Sequence, residues 1–445
     1  MSTPARSDRA VPLLQRLGEL GSGELTVEGH SVGAIAERVG TPYFLYRGEV
    51  VRQQVRALRD ALGSDTEFYF SIKANPSVGV CQVLQRAGVG AELASIGELR
   101  VAQAAGFEPS HVLFAGPGKT DRELEEAVRW GIGAINVESL GELTRVIATA
   151  RRLGRKQTVC LRINPKAQVQ GAQMRMGGGS TQFGFDEELM PEAVKLAQSA
   201  PDAVEVAGLH VYVGSQMVDI EGIVTNWEHV LTLAESLADL GVTVRKIDLG
   251  GGFGVPYFEG QPEFDLAGLG RAFGPRIAAR AKASPKLQQA KLIVELGRFL
   301  VAESGVYVTR VVDVKESRGT KYVVTDGGMN HHITATGNFG QVFRKAYPMA
   351  NVSRLGAAAD FAGTVVGPCC TPLDQFGAKL TLAPPERGDL IGVLYSGAYG
   401  YSASSLGFLS HPTPAEVLVL DGALHVLRDG GAEDAVVKGQ RPLTG

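Results

Sequence analysis

A single lysine stands at the end of an apolar stretch of aromatic and β-branched residues. Glu67–Ile72 (EFYFSI) precedes Lys73, and Asn75-Pro76 follows shortly after it. Such a run is typical of a buried parallel strand, and Asn-Pro ends it, so we expect Lys73 where the strand opens into a loop. A lysine amine in that position can attach an electrophile covalently. The alternative is a side chain that lies along apolar surface with its ammonium in water.

Two other apolar stretches end in residues that suit an anion. Leu209–Val213 (LHVYV) is followed by Gly214 and Ser215, and Asp248-Leu249 runs directly into Gly250–Gly252. The backbone N–H groups of a glycine turn and a serine hydroxyl can donate hydrogen bonds to an anion. A tight turn that binds no ligand explains the glycines equally well.

A carboxylate and a guanidinium follow a further apolar stretch. Leu292–Val294 precedes Glu295, and Arg298 comes shortly after. A buried carboxylate without a partner is costly, so Glu295 needs a cation or a hydrogen-bond donor. An ion pair between Glu295 and Arg298 meets that need. A cofactor with a phosphate at one end and a basic ring nitrogen at the other, such as pyridoxal phosphate, meets it as well.

Eight apolar runs alternate with amphipathic stretches, which predicts repeated βα units and a (β/α)8 TIM barrel over residues 41–300. The predicted helices include Ile96–Gly106 and Thr120–Gly131, the second with a Thr-Asp cap and a terminal glycine. Catalytic groups of such barrels lie at the carboxyl ends of the strands. The predicted strands are Phe68–Ile72, Ala91–Ser95, Val112–Ala115, Ala134–Val137, Thr158–Ile163, Val206–Val213, Lys246–Leu249 and Leu292–Val294.

Beyond the barrel, alternating valine-rich stretches predict a C-terminal antiparallel β-domain over residues 301–445. The leader of residues 1–40 and the stretch Tyr43–Tyr46 are expected to pair in part with this domain. The polar, glycine-rich segment Lys166–Phe185 is predicted to be a mobile active-site loop. The predicted strands of the β-domain are Gly305–Val314, Lys321–Thr325, Phe361–Val366, Leu390–Leu394 and Ala415–Leu420.

Composition narrows the class of protein. The chain has 445 residues, of which 44% are hydrophobic and 20% are charged, enough for a large core. Its net charge of −3 and dispersed basic residues argue against nucleic-acid binding. The sequence shows no signal peptide and no run of membrane-spanning length, which favours a cytoplasmic protein. The cysteines at positions 81, 160, 369 and 370 have no metal-ligand spacing, so we predict reduced thiols and no metal site.

Together these motifs resemble the fold type III pyridoxal-phosphate decarboxylases, the group of diaminopimelate, ornithine and arginine decarboxylases with an alanine-racemase-like barrel. The resemblance extends from about residue 40 to about residue 420. It implies that Lys73 carries pyridoxal 5'-phosphate and that Glu295 keeps the pyridine nitrogen protonated. The other cofactor-binding positions that it implies are Glu92, Arg162, His210, Tyr212, Ser215, Gly250, Gly251, Gly252, Gly297, Arg298 and Tyr399.

The resemblance also covers the segment Gly367–Asp374 (GPCCTPLD). It implies that Cys370 is a catalytic thiol that reaches the partner subunit's site in a homodimer with shared active sites. The implied reaction is loss of an α-carboxylate followed by protonation at Cα, with Cys370 or water as the acid. A small buried apolar residue is the alternative role for this cysteine. Asp326, Thr371 and Asp374 are the implied substrate-binding positions, although Asp326-Gly327 could also form a turn.

Two departures from the family pattern bear on the substrate. Tyr212 stands where many relatives have a histidine that stacks on the pyridine ring, and a tyrosine can still stack. Thr371 stands where diaminopimelate and ornithine decarboxylases have an acidic residue that binds the distal ammonium of the substrate. Such a charge-assisted bond contributes about 1.5–3 kcal/mol, so its loss argues against a diamino substrate.

The segment Asp326–Gln341 contains adjacent histidines, His331 and His332, which we predict to lie at the surface, and no clear acidic cluster. It resembles a branch of the family found in biosynthetic clusters, which includes decarboxylases of an L-glutamyl group bound to an acyl carrier protein and of siderophore intermediates. The first hypothesis is therefore α-decarboxylation of a conjugated L-amino-acid unit. An acyl carrier protein is one possible partner, which would present the substrate to the enzyme. The alternatives are a meso-diaminopimelate decarboxylase, an amino-acid racemase and, least favoured, a non-enzymatic pyridoxal-phosphate carrier.

Overall fold

The computed structural model describes residues 10–21, 23–166, 174–175, 179–339 and 345–443, with the backbone alone at 174–175. The chain divides into two compact units. One unit comprises residues 52–255 and 262–300, and the other comprises residues 1–51, 256–261 and 301–445. The first is called the barrel unit and the second the β-unit. The division after Val51 leaves the strand Tyr43–Arg47 in the β-unit, whereas the sequence places the start of the barrel at residue 41.

The barrel unit is a closed ring of eight parallel strands. Neighbouring strands pair in the order β5–β6–β7–β8–β1–β2–β3–β4, and pairing of β4 with β5 closes the ring. The (β/α)8 prediction is therefore confirmed. The strands are β1 Glu67–Ser71, β2 Gly90–Leu93, β3 Val112–Phe114, β4 Ala134–Val137, β5 Gln157–Asn164, β6 Val204–His210, β7 Lys246–Gly251 and β8 Lys291–Leu296.

Helices follow the barrel strands, and their first turns begin at polar caps. Thr120 and Glu123 form a capping box before α3, and Ser95 and Ser139 cap α2 and α4 with their hydroxyl groups. The helices are α1 Val78–Arg86, α2 Ile96–Ala105, α3 Asp121–Trp130, α4 Leu140–Arg152, α5 Met190–Gln198, α6 Ile220–Asp239, α7 Leu266–Phe273 and α8 Arg298–Val301. The other α-helices of the described residues are Ala10–Leu17, Val32–Val39, Gly48–Leu62 and Ala279–Ala283.

The β-unit is built on a nine-stranded sheet, in which Tyr43–Arg47 lies between Gly305–Ser317 and Ala415–Leu420. Most neighbours are antiparallel, as the sequence predicts. Two pairings are parallel, namely Thr320–Thr325 with Phe361–Val366 and Ala415–Leu420 with Tyr43–Arg47. The remaining strands of the unit are Thr26–Val27, His30–Ser31, Met349–Asn351, Gln375–Leu382, Leu390–Val393 and Ala423–Arg428.

The sequence pattern located all eight barrel strands and six strands of the β-unit, but it missed the β-unit strands Thr26–Val27, His30–Ser31, Met349–Asn351, Gln375–Leu382 and Ala423–Arg428. The last two are partly exposed, so their apolar residues form no continuous run. Half of the predicted mobile loop Lys166–Phe185, residues 167–173 and 176–178, lies outside the described residues, and Phe185 begins a short strand, Phe185–Asp186, which pairs with β5. Among the described residues, no helix is long and apolar enough to cross a membrane.

Candidate active site

Lys73 lies in a short helical turn, Ile72–Ala74, directly after β1, as the sequence predicts. Its Nζ is 3.2 Å from Oε2 of Glu92, which lies on the neighbouring strand β2. The Lys73 side chain is 50% exposed, whereas that of Glu92 is 3% exposed. The register pairs Ser71 with Glu92, so parallel strand pairing brings these two side chains together. Lys73 thus reaches the open end of the barrel with a carboxylate beside its amine.

Glu295 on β8 lies in a buried polar group with His210 and Asp248. His210 Nε2 is 3.3 Å from Oε2 of Glu295, and one ligand atom from each of the three residues lies within 4.8 Å of the others. His210 pairs with Asp248 in the register of β6 and β7, which explains their proximity. Among the described residues, the ion-pair partner of Glu295 is therefore His210 rather than Arg298.

Burial and nearby charges shift the pKa values of Asp248 and Glu295 in opposite directions. Burial raises the pKa of Asp248 well above its usual range, and the nearby charge of Glu295 raises it further. Burial also raises the pKa of Glu295, but the interaction with His210 and a hydrogen bond with Asp248 outweigh it, so the pKa falls below its usual value. The two shifts are opposite in direction, so Glu295 is the more acidic group of this buried pair and Asp248 the more readily protonated.

The glycine turn at the end of β7 packs against two neighbouring strands. A side chain at Gly251 would overlap the carbonyl oxygen of Glu295, and one at Gly252 would overlap the carbonyl oxygen of Gly214. Gly250 and Gly252 also have positive φ angles, which glycine adopts without strain. This close packing places the turn beside Ser215 and Glu295.

Two further predicted residues flank this turn. A Cβ at Gly250 would lie 3.3 Å from Cδ2 of Tyr212, so the tyrosine ring borders the turn. The predicted strand Val206–Val213 ends at His210 instead, and Tyr212 lies in the loop that follows. Gly297 and Arg298 come directly after β8, where Arg298 begins α8.

Arg162 on β5 is buried and forms an ion pair with a residue that the sequence analysis did not single out. Its Nη1 lies 2.7 Å from Oε1 of Glu138, which directly follows β4. The ring of Phe183 lies 4.8 Å from the guanidinium carbon of Arg162. Seven polar residues thus follow or end barrel strands, namely Lys73, Glu92, Glu138, Arg162, His210, Asp248 and Glu295.

Comparisons with known proteins identify the family. The family described as pyridoxal-dependent decarboxylase, pyridoxal binding domain, matches residues 48–302. The L-glutamyl-[BtrI acyl-carrier protein] decarboxylase of Niallia circulans is 35% identical, over 94% of this chain and 97% of the relative. The diaminopimelate decarboxylase of Pseudomonas aeruginosa is 36% identical, over 91% of this chain and 94% of the relative. The chain belongs to the pyridoxal-dependent decarboxylases.

Solved structures agree with this assignment. The diaminopimelate decarboxylase of M. jannaschii, in a complex with L-lysine, superposes with a TM-score of 0.86 at 26% identity and covers 95% of this chain and 98% of that chain. Pyridoxal phosphate is therefore the cofactor of this decarboxylase, and the reaction is removal of a carboxyl group.

The buried groups of the decarboxylase fit such a cofactor. Nδ1 of His210 and Oε1 of Glu295 are buried without a hydrogen-bond partner among the described residues, whereas Nε2 of His210 faces Oε2 of Glu295. A buried carboxylate oxygen of this kind calls for a donor, and a protonated pyridine nitrogen is one. The three residues could by composition also hold a divalent cation. The family match describes residues 48–302, which include all three residues, as a pyridoxal binding domain.

In the β-unit of the decarboxylase, the adjacent cysteines differ in environment. Cys370 is exposed, which contradicts the alternative of a small buried apolar residue. Cys369 is buried, and burial raises the pKa of its thiol to about 12. Thr371 is half-buried, and its hydroxyl accepts a hydrogen bond from the backbone N–H of Leu373. Cys370 is thus the accessible thiol of the pair.

Asp374 is buried among backbone donors of the β-unit, and its predicted contact with substrate stays a prediction. It is 3% exposed, and its two carboxylate oxygens accept hydrogen bonds from the backbone N–H groups of Met329 and Cys369, each at 2.7 Å. The carboxylate therefore joins two chain segments of the β-unit. Tyr399 also lies in the β-unit, where its carbonyl oxygen accepts a hydrogen bond from Thr334. Its predicted contact with the phosphate stays a prediction.

The adjacent histidines are buried, so the prediction of a surface position is wrong. His331 donates to the carbonyl of Pro412 at 2.9 Å and accepts from the Tyr307 hydroxyl at 3.2 Å. His332 contacts the Ser396 hydroxyl at 2.9 Å. Burial lowers the pKa of His331 to about 4 and that of His332 to about 3. Both rings are neutral near pH 7, because burial removes the water that would solvate an imidazolium charge.

Asp326 lines a cavity of about 840 Å³ in the β-unit. Its oxygens accept hydrogen bonds from the hydroxyl groups of Thr41 and Thr309 and from the backbone N–H of Arg310. These bonds tie three segments of the β-unit together. Its predicted contact with substrate stays a prediction.

Sequence reasoning missed Glu138 and Asp248 as site residues, and it also missed Glu98 on α2. Both Glu138 and Asp248 are acidic residues in or directly after apolar barrel strands. That signal had singled out Glu295, and applied to every strand it would have found these two as well. Glu98 gave a different signal, because it follows the capping serine Ser95 in the pattern of a capping box.

Proposed function

We propose that this decarboxylase removes the α-carboxylate of an L-amino-acid unit whose distal end is conjugated, either to a carrier protein or to another acid. Thr371 carries the proposal, because it follows the exposed Cys370 where a diamino substrate calls for a carboxylate. The threonine hydroxyl is neutral and accepts a backbone hydrogen bond. A distal ammonium would therefore lack a charged partner at this position.

Two further observations support a neutral distal group. His331 and His332, in the segment that the family uses near the far end of the substrate, are neutral near pH 7. The similar protein from Niallia circulans acts on an L-glutamyl group carried by an acyl carrier protein. Conjugation converts the distal carboxylate of such a group into a neutral thioester, which needs no buried counter-charge.

The residues of the barrel unit support the chemistry. Lys73 would hold the cofactor covalently, and Glu92 lies beside its Nζ. When bound, pyridoxal phosphate supplies a protonated ring that accepts the electron pair left by the departing carboxyl group. Glu295, kept ionised by His210 and Asp248, would hold the proton at the ring nitrogen. Arg162, Tyr212, Ser215, Gly250 to Gly252, Gly297, Arg298 and Tyr399 would contact the cofactor.

The second bond change is protonation at Cα. Loss of carbon dioxide breaks the bond between Cα and the carboxyl carbon and leaves an electron pair, which must take up one proton. Cys370 is our proposed donor, with water as the alternative. Because Cys370 is exposed in the β-unit, we propose that it serves the partner subunit's site in a homodimer.

A second candidate substrate is meso-diaminopimelate. Several similar proteins are diaminopimelate decarboxylases, among them that of Pseudomonas aeruginosa at 36% identity. Thr371 argues against this substrate, but only turnover measurements distinguish the two. A racemase requires exchange of the α-hydrogen without release of carbon dioxide, and the family assignment favours decarboxylation instead.

The test compares carbon dioxide release from L-glutamyl carrier protein, a small L-glutamyl thioester, free L-glutamate and meso-diaminopimelate. We expect a thioester to exceed diaminopimelate in kcat/KM by at least about tenfold, the factor that corresponds to one lost charge-assisted bond. A higher kcat/KM for diaminopimelate would contradict the proposal. Turnover of the carrier-bound substrate alone would show that the carrier protein is recognised.

The Lys73→Ala variant tests the chemistry independently of the substrate. We expect it to lose the visible absorption of lysine-bound pyridoxal phosphate and to lose activity by more than about 1,000-fold, since the covalent attachment is gone. Lys286→Ala is a matched control, because Lys286 pairs with Asp239 at the exposed surface of the barrel unit. A Lys73→Ala protein that kept the absorption band would refute the assignment of this lysine.

A further inference from the structure

Glu138 connects three chain segments at the carboxyl end of the barrel strands. Its side chain is only 3% exposed. Oε1 contacts Nη1 of Arg162 at 2.7 Å and accepts the backbone N–H of Gly116 at 2.6 Å, and Oε2 accepts the backbone N–H of Gly184 at 3.1 Å. One carboxylate therefore joins the segments that follow β3, β4 and β5.

The Glu138 backbone is held in turn by a second buried ion pair. Its N–H donates to Oε2 of Glu142 at 2.9 Å, and Oε1 of Glu142 lies 2.7 Å from Nζ of Lys119. Lys119 also donates to the carbonyl oxygens of Gly116 and Asn136. The Glu142–Lys119 pair thus holds the backbone of Glu138, while the Glu138 carboxylate contacts Arg162.

Arg162 is held on two sides. Glu138 pairs with its guanidinium, and the Phe183 ring lies 4.8 Å from the guanidinium carbon. Gly184 has a φ of +74°, and a Cβ there would come within 2.8 Å of the Arg162 carbonyl oxygen. The turn at residues 183–184 therefore packs closely against Arg162 because position 184 is glycine.

We propose that Glu138 is a positioning residue, which fixes the guanidinium of Arg162 in the orientation in which it meets the pyridoxal group. The proposal deepens the proposed function and rests on its assignment of Arg162 to the cofactor. The buried pair leaves the guanidinium few alternative rotamers, because a shift of Arg162 would leave the Glu138 charge buried and unpaired. Preorganisation of this kind lowers the cost of ordering Arg162 when the cofactor binds.

A merely structural role for Glu138 makes a different prediction. If Glu138 served only to join the three loops, its substitution would lower thermal stability. Any effect of that substitution on cofactor affinity would then be independent of a substitution at Arg162. A positioning role requires instead that the effects of changing Glu138 and Arg162 are not independent. The dissociation constant of pyridoxal phosphate, measured by its absorption and fluorescence, separates the two roles without relying on enzyme activity.

The experiment measures that dissociation constant for the full-length Glu138→Gln, Arg162→Lys and doubly substituted proteins. We expect each single change to raise the dissociation constant by about tenfold. The double change should raise it by no more than about a further twofold over the single variant that binds pyridoxal phosphate more weakly. Glu138→Asp, which keeps the charge, should recover part of the affinity. Glu228→Gln is the matched control, because it removes the carboxylate of the Glu228–Arg276 pair on the outer helices.

Multiplicative effects in the double variant would overturn the proposal. So would weakened binding in Glu138→Gln together with unchanged binding in Arg162→Lys, while decarboxylation by the unmodified protein would still support the proposed function. If Glu138→Gln does not fold, Glu138→Asp replaces it in the double-variant comparison, because it keeps the charge but shortens the side chain. Its effect should likewise be non-multiplicative with Arg162→Lys, and a multiplicative effect would contradict the proposal.

Discussion

Glu98 shows how the charges around Lys73 act on a neighbouring carboxyl group. Glu98 lies in the first turn of α2, and its Oε2 accepts the backbone N–H of Ala94 at 2.6 Å. Burial, followed by the charge of Glu92, raises its pKa to about 7, although the Ala94 N–H and the Lys73 amine act in the opposite direction. The carboxyl group therefore titrates within the physiological range, near Lys73, the residue proposed to hold the cofactor.

This pKa predicts the direction of a pH effect on stability. A carboxyl group with a raised pKa stabilises the fold in its protonated form, so its contribution is complete below about pH 4.5 and is lost as the pH rises through about 7. We expect the contribution of Glu98 to the free energy of unfolding to fall between about pH 4.5 and pH 7, with a slope of at most about 1.4 kcal/mol per pH unit.

Glu98→Gln should flatten that dependence, because glutamine does not titrate. Denaturant unfolding at pH 5, 6, 7 and 8 measures the slope. Glu125→Gln is the control, since the pKa of Glu125 is lowered to about 2 by hydrogen bonds from Arg152 and Arg129 and this residue stays ionised throughout the range. An unchanged slope in Glu98→Gln would contradict the assignment.

At the scale of elements, the glycine turn after β7 depends on backbone contact. Gly251 faces Glu295 across the pairing of β7 and β8. A side chain at Gly251 would overlap the Glu295 carbonyl oxygen, so the two strands can approach only because the side chain is absent. The turn thus positions the backbone of the residue that is proposed to hold the pyridine nitrogen.

We expect Gly251→Ala to lower the free energy of unfolding by about 1–3 kcal/mol, because the added methyl group forces the strands apart. It should also weaken pyridoxal phosphate binding, since Glu295 is displaced. Gly274→Ala is the matched control, because that glycine has helical φ and ψ angles and no atom within 4 Å of an added Cβ. Thermal unfolding and cofactor titration of both variants measure these effects, and equal behaviour of the two would refute the steric argument.

At the scale of the whole molecule, the proposed homodimer places residues from two chains in one site. Lys73 belongs to the barrel unit and Cys370 to the β-unit. If each site combines Lys73 of one chain with the partner's Cys370, then two inactive variants can complement each other. A heterodimer of Lys73→Ala and Cys370→Ala chains would contain one site with both residues intact.

We expect each variant alone to be nearly inactive and an equimolar, subunit-exchanged mixture to recover about one quarter of the unmodified activity. Half of the dimers would be mixed, and each would have one intact site. Carbon dioxide release after subunit exchange measures the recovery. A mixture of Lys73→Ala with the Lys73→Ala, Cys370→Ala double variant is the negative control. No recovery in the first mixture, despite verified subunit exchange, would contradict the shared site.

The amino-acid pattern alone was sufficient to predict the (β/α)8 barrel, the polar residue types near the ends of its strands and the family. Lys73, Glu295 and the triple glycine are local signals, because each follows an apolar run within a few residues. The period of those runs was sufficient to place all eight strands, since a strand buried on both faces requires continuous apolar residues.

The contacts between the polar groups of the site depend on the tertiary fold and could not be predicted from the local sequence pattern. His210, Asp248 and Glu295 are far apart in sequence and come together through strand pairing and barrel closure. Strand register likewise brings Glu92 beside Lys73, and Glu138 pairs with Arg162 across neighbouring strands. His331 and His332 are buried because other parts of the β-unit cover them and satisfy their ring nitrogens. Such partners depend on long-range packing, for which a local residue pattern contains no signal.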